Sequence, residues 1–335
     1  MTETDASCDG CGSFEARCYA ESWPLRTAFV ISRGSRTEAQ VVVVEVSAGG
    51  VTGVGECTPY PRYGESVESV LAEISSVLPS LRSGLTRAQL QQALPAGAAR
   101  NAVDCALADW EQQRAGNVDS GHAWLPTVQT LVIAAPDAMA EAARVAAGRG
   151  VTVLKLKLDR HQVLERVAAV RSAAPECQLV IDANEAWGAE GLPDLCDALA
   201  RQGVAMLEQP LPAGDDELLA TFPHPLPICA DESCHTRADL PRLVGRYDML
   251  NIKLDKTGGL REALALAEEG KARGFELMLG CMLCTSRAIR AAWPLGPSAR
   301  FVDLDGPTWL AKDVDPLRFE GGRVYWTDKR GGEGG

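Results

Sequence analysis

Five short apolar runs in this chain end in a charged residue at near-constant intervals. VLKLK ends at Lys157, LVID at Asp182, AMLE at Glu208, PICAD at Asp231 and MLNIK at Lys253, in steps of 25, 26, 23 and 22 residues. One strand, one helix and two short loops use about that much chain, so the beat predicts a parallel β/α barrel. TVQTLVI (127–133) supplies an earlier strand, while FELMLG (ending at Gly280) and ARFVD (ending at Asp303) supply two later ones, for eight in all. Catalytic groups of such barrels sit at the C-terminal ends of the strands, so these lysines and acids are expected to share one mouth.

Within VLKLK, Lys155 and Lys157 stand two residues apart, and a strand sends residues i and i+2 to the same face. Two adjacent ammonium groups repel. A lone KxK is most simply an edge strand displaying solvated lysines. The carboxylates that follow at barrel spacing make it a site instead.

The chain has 335 residues, enough for one large and one smaller domain. Residues 1–14 read as a flexible extension. In 15–118, three strands (15–21, 24–32 and 39–46) precede three helical stretches (67–81, 87–94 and 100–114), an α+β capping domain. Gly49–Gly55 reads as a turn into a Gly/Pro-rich loop. Residues 119–305 are the barrel, 306–330 a segment expected to return towards the cap, and 331–335 a disordered tail. A net charge of -12 with no basic stripe argues against nucleic acid. No apolar run approaches the ~20 residues of a membrane span, and the first residues lack a signal-peptide pattern, so a soluble cytoplasmic protein is expected. The 11 cysteines are scattered, which suits buried free thiols in a reducing compartment. Cys8/Cys11 and Cys281/Cys284 form CxxC pairs that together could make a zinc site.

Asp182, Glu208 and Asp231 end three successive strands. One such acid alone would be read as a helix cap or an arginine partner. Three unpaired carboxylates in one mouth repel, and a hard divalent cation removes the repulsion. Mg²⁺, one per subunit, suits an all-oxygen set without His or Cys. Lys157 and Lys253 flank the acids from opposite sides. That placement suits inversion at carbon: one lysine removes a proton, a metal-stabilised enolate forms, and the other lysine returns a proton to the opposite face. Lys155 and the cation are expected to lower the pKa of Lys157. Asn184 and Glu232, beside two of the ligands, are expected to support them.

KLK, VIDANEAW, EQPLP, ADES, NIKLDKTGGL and DLDGP, in this order, resemble the muconate-lactonizing branch of the enolase superfamily, over residues 20–325. The resemblance implies an α/β fold, a modified TIM barrel (β/α)7β under an N-terminal α+β cap. Within the branch the chain is similar to the dipeptide epimerases. That implies Mg²⁺-dependent 1,1-proton transfer on L-Ala-D/L-Glu dipeptides, in recycling of cell-wall peptides. Asp303 and Asp305 are implied to hold the ammonium of the dipeptide, and Cys281 and Met282 match the seventh-strand motif. PLRTAFVISRGSR resembles the specificity loop, whose arginine pairs with a substrate carboxylate. Arg33 is the choice and Arg36 the reserve. Thr130 is expected near the α-carboxylate end of the substrate, whereas Trp187 and Trp309 are expected to pack. The pattern departs at Cys284, where many relatives carry Glu, although one branch of epimerases reads CMLCTS as here. Barrels of this type often form homo-oligomers.

Other readings share parts of this pattern. A cycloisomerase, an o-succinylbenzoate synthase or an N-acylamino-acid racemase would use the same lysines and metal without needing the Asp303/Asp305 pair. A Schiff-base aldolase would need one lysine and no carboxylate trio. A non-enzymatic metal or redox protein would rest on the cysteine pairs.

Overall fold

A computed structural model describes residues 14–116 and 121–327. The first unit is an antiparallel sheet of β1 (Glu15–Ile31), β2 (Gly34–Ala48) and β3 (Val51–Cys57), in that order. Helices α1 (Val67–Arg82), α2 (Arg87–Ala93) and α3 (Ala98–Arg114) cover one face. Val41–Val44 of the central strand are all buried, as a β-branched run covered on both faces should be. Reciprocal side-chain caps start α1 (Ser66 with Ser69) and α2 (Thr86 with Gln89).

Two expectations for this unit change. The stretches 15–21 and 24–32 are one strand, with a register shift between Pro24 and Phe29. The third strand is Val51–Cys57, whose glycines read as a turn. They serve close packing instead, because a Cβ on Gly55 would stand 2.0 Å from the Ala102 carbonyl of α3. Phe14, assigned to the flexible extension, is buried edge-on against Trp110, with ring centroids 4.9 Å apart. Cys8, Cys11 and the tail at 331–335 lie outside the described residues.

After β4 (Trp124–Pro126) come the eight parallel strands in sequential order: β5 (Gln129–Leu131), β6 (Val153–Lys157), β7 (Gln178–Asp182), β8 (Val204–Glu208), β9 (Ile228–Ala230), β10 (Met249–Ile252), β11 (Glu276–Gly280) and β12 (Phe301–Asp303). The ring closes where the Val128 N–H donates to the Val302 carbonyl at 2.9 Å. The connections after β8 and β9 are shorter than the helices expected there: 3-10 turns at Glu217–Thr221 and Arg237–Asp239, and one helical turn at Leu240–Leu243.

Strand alternation sorts the barrel residues. Leu154, Leu156, Leu179, Ile181, Leu207, Leu250 and Leu279 point out into the core under the helices. Inside, Val128, Val180, Met206, Cys229, Met249, Met278 and Phe301 form an apolar plug. Two residues further along each strand, on the same face, stand Thr130, Asp182, Glu208, Asp231, Asn251, Gly280 and Asp303. The charged layer therefore rests directly on the plug.

The segment after β12 first meets the cap. Leu310 bridges Leu25, and the Ala311 N–H donates to the Pro24 carbonyl at 2.8 Å. It then returns as β13 (Arg318–Glu320) and β14 (Arg323–Tyr325), a hairpin whose second strand pairs with β4 and not with the cap.

Candidate active site

The three acids meet. One carboxylate oxygen each from Asp182, Glu208 and Asp231 lies within 4.8 Å of the others, and all three residues are buried. Glu208 Oε1 accepts from Asn251 Nδ2 at 2.7 Å, whereas buried Oε2 accepts no aligned hydrogen bond and only faces Lys155 Nζ at 2.7 Å. Burial and the neighbouring Asp182 charge push the Glu208 carboxyl up to about 7. Burial alone would also raise Asp182 and Asp231. Lys155 and Lys157 overcome it at Asp182, and Lys253 and Lys256 at Asp231, holding both below the ordinary carboxylate range. An enclosed, oxygen-only trio with an unsatisfied acceptor fits a hard divalent cation such as Mg²⁺.

The two lysines stand on either side. Lys157 Nζ is 2.5 Å from Asp182 Oδ2, Lys253 Nζ is 2.7 Å from Asp231 Oδ2, and both line one cavity. Lys155 lies between the acids, with Nζ 2.7 Å from Glu208 and from Asp303 and 3.1 Å from Asp182.

Loop geometry after the strands supports the acids. Asn184, Glu185 and Gln209 adopt left-handed backbone (φ 45°, 65° and 37°), a strain that functional sites tolerate. It lets the Asn184 N–H donate to Asp182 Oδ1 at 2.9 Å and Gln209 Oε1 accept the Asp231 N–H at 2.9 Å.

The same cavity, of about 200 Å³, is lined by Thr130, Cys281, Met282, Asp303 and Asp305 from the barrel and by Phe29, Arg33, Arg36 and Tyr60 from the cap. Asp303 and Asp305 are both buried in its wall, and burial beside Asp303 pushes Asp305 up to about 7. Thr130 donates its N–H to Asp305 Oδ2 at 2.7 Å. Cys284 is a buried free thiol, pushed well above the usual thiol range by a hydrogen bond with the Cys281 thiol and by burial. Trp187 packs, donating to the Asp159 carbonyl, while Trp309 borders the cavity edge-on to Phe29.

The arginines differ. Arg33 is committed to protein: Nη1 lies 2.7 Å from Glu232 and 3.1 Å from Glu185, and Nη2 donates to the Tyr60 hydroxyl at 3.0 Å. Arg36 faces the same cavity with its guanidinium over the Tyr60 ring, 5.0 Å from the centroid. Sequence reasoning missed Lys256 and Asn251, although both lie inside or beside a quoted motif. Asn251 stands two residues before Lys253 and so had to share its face. The Arg62–Glu185 clasp between cap and barrel, at 2.7 Å, had no sequence signal.

A (β/α)7β barrel whose mouth holds an acid trio between opposed lysines, under an α+β cap, defines an enolase-superfamily enzyme. Residues 13–118 match the mandelate racemase / muconate lactonizing enzyme N-terminal domain, and residues 137–332 the enolase C-terminal domain-like family. The chain belongs to the mandelate racemase / muconate lactonizing enzyme family. It is 60% identical to the L-Ala-D/L-Glu epimerase of Escherichia coli K12, over 92% of this chain and 98% of that one. It is 42% identical to an N-acetyl-D-glutamate racemase of Pseudoalteromonas, over 82% and 88%. Among solved structures it resembles an Agrobacterium tumefaciens enolase family member with bound sodium and L-Ala-L-Glu (TM-score 0.90, 44% identity, 94% and 98% covered). It also resembles the Enterococcus faecalis dipeptide epimerase complexed with Mg and L-Leu-L-Tyr (TM-score 0.86, 28% identity, 95% and 97% covered).

Proposed function

We propose that this chain is a Mg²⁺-dependent dipeptide epimerase acting on the Glu α-carbon of L-Ala-L-Glu and L-Ala-D-Glu, in the cytoplasmic recycling of cell-wall peptides. The observation that carries the reading is the bipolar cavity. Lys157 and Lys253 flank one buried carboxylate trio, two acids stand at one end, and Arg36, without a carboxylate partner among the described residues, stands in the cap.

The substrate lies with its Glu α-carbon between the two lysine Nζ atoms. Asp303 and Asp305 receive the ammonium of the alanine residue, a charge that an apolar wall would reject. Arg36 takes the side-chain carboxylate of glutamate, because Arg33 is already neutralised by Glu232 and Glu185. Asp182, Glu208 and Asp231 would hold Mg²⁺, which would supply positive charge beside the substrate carboxylate and compete with the lysines for these acids. One lysine takes the α-proton and the other delivers a proton from the opposite side. Phe29, Trp309 and the cap hairpin exclude water from the planar carbanion.

Incubation of either diastereomer in D₂O with Mg²⁺ tests this. Deuterium at the Glu α-carbon together with the opposite diastereomer is the expected result. Absence of both removes the substrate assignment.

The 42% identity to an N-acetyl-D-glutamate racemase favours one second reading, in which the glutamate half is shared and the ammonium end is not. An N-acyl group carries no positive charge for Asp303 and Asp305, so comparing N-acetylglutamate with the dipeptide separates the two.

A further inference from the structure

Lys256 lies one helical turn beyond Lys253, on the turn Leu254–Thr257. Its side chain is fully buried. Nζ donates to Asp231 Oδ1 at 2.6 Å, to the Asp231 carbonyl at 2.6 Å and to the Asn251 carbonyl at 2.8 Å. An ammonium has three protons, so each is used, and Lys256 is absent from the cavity wall. It does not reach a substrate. The other oxygen of the same carboxylate, Asp231 Oδ2, faces Lys253 at 2.7 Å. Asp231 is thus gripped from behind by one ammonium and approached from the cavity by another.

The opposite flank has a similar pair. Lys155, also buried, contacts Asp182, Glu208 and Asp303 beside Lys157. Each of the opposed lysines has a buried companion, two residues before it on one side and three after it on the other.

We propose that Lys256 is a positioning residue for Lys253. It pins the outer oxygen and main chain of Asp231 to β10, and so turns Asp231 Oδ2 and the Lys253 ammonium into the cavity, as Lys155 serves Lys157. The assignment rests on the two-lysine epimerase reading. Its signature is one-sided, because Lys256 touches Asp231 and the strand bearing Lys253 and nothing on the Lys157 flank. The turn has independent anchors: Asp255 accepts from the Thr58 N–H and Asn101, and Arg100 donates to the Thr257 and Gly258 carbonyls. Removing the ammonium therefore leaves the turn held in place.

Wild type, Lys256→Met and Lys256→Gln are compared in D₂O with Mg²⁺ on each diastereomer, following α-deuterium uptake and inversion separately. Mn²⁺ affinity is measured by electron paramagnetic resonance. The expected result for Lys256→Met is epimerisation slowed at least about 10-fold and Mn²⁺ bound several-fold more weakly. One diastereomer keeps deuterium uptake without inversion, because Lys157 still removes and returns a proton on its own face. Lys256→Gln, which keeps two donors, should fall between, and it carries the same comparison if the Met variant is insoluble. Parallel loss of both exchange reactions with an unchanged melting temperature, or no change in either, overturns the proposal. A wild type that exchanges neither diastereomer defeats the epimerase reading instead. The Mn²⁺ arm then still decides Lys256, since an affinity unchanged in both variants overturns it.

Discussion

Gly280 and Lys253 are packed so closely that a Cβ on the glycine would stand 2.9 Å from the lysine Cε. The same Cβ would meet the Asn251 amide at 2.5 Å, the group that holds Glu208. The Gly280 backbone is not left-handed, so the glycine is needed for space and not for conformation. Gly280→Ala should fold normally, displace the Lys253 stem and lower kcat about 10- to 100-fold, with a smaller change in KM. Steady-state kinetics beside a melting curve check this. Wild-type kcat in the variant would mean that Lys253 has freedom the packing denies it.

Asp303 and Asp305 make the second case. A buried charged hydrogen bond contributes about 1.5–3 kcal/mol, or roughly 10- to 150-fold in binding. Asp303→Asn should raise KM for L-Ala-Glu by that order, while any turnover of N-acetylglutamate falls less. Equal losses on both substrates would place Asp303 in the support of Lys155 alone, which it contacts at 2.7 Å.

The two cap arginines should separate cleanly. Arg36→Met is expected to raise KM for Glu-containing dipeptides about 10-fold or more and to leave L-Ala-L-Ala nearly unchanged. Arg33→Met removes the partner of buried Glu232 and so should lower the melting temperature as well as activity. Dipeptide profiles of the two variants decide between them.

Asp255 gives a pH prediction. Burial in the seam between cap and barrel pushes its carboxyl up to about 7, despite bonds from the Thr58 N–H and Asn101. The folded pKa exceeds the unfolded value, so the folded state binds the proton more tightly. The favourable contribution is full below about 4 and is lost as pH rises through about 7, a change of no more than about 4 kcal/mol. Asp255→Asn, a neutral mimic, should gain stability relative to wild type as pH rises from 5 to 8. Melting temperatures across that range measure it, and a constant difference would show that Asp255 does not titrate there.

The barrel was legible because its inner face repeats one rule. A strand must place residues i and i+2 together, so apolar plug and charged rim alternate visibly in VLKLK, LVID and AMLE. The acid trio and flanking lysines followed from that rule. The cap was less legible. The glycines of Val51–Cys57 look like turn residues until α3 is seen lying on them, and no local pattern reports a helix from elsewhere in the chain. The proposed preference for Arg36 over Arg33 rests on Glu232 and Glu185, which reach the hairpin only through the fold. Lys256 stood inside NIKLDKTGGL in plain view, but its meaning lies in a carboxylate 25 residues earlier.

The cap is bolted to the barrel at three separate seams. Arg100 and Asn101 bind the turn after Lys253, Glu56 binds Thr285 and Arg287, and β1 is stitched to Leu310 and Ala311. A roof fastened at so many points would have to part all of these seams to swing as a hinged lid. With those seams closed, the hairpin tip at residues 32–36, which lines the chamber, and the Arg62–Glu185 latch are the expected doorway. Ligand exchange is then expected to depend on a few side chains at that doorway more than on the travel of a whole domain.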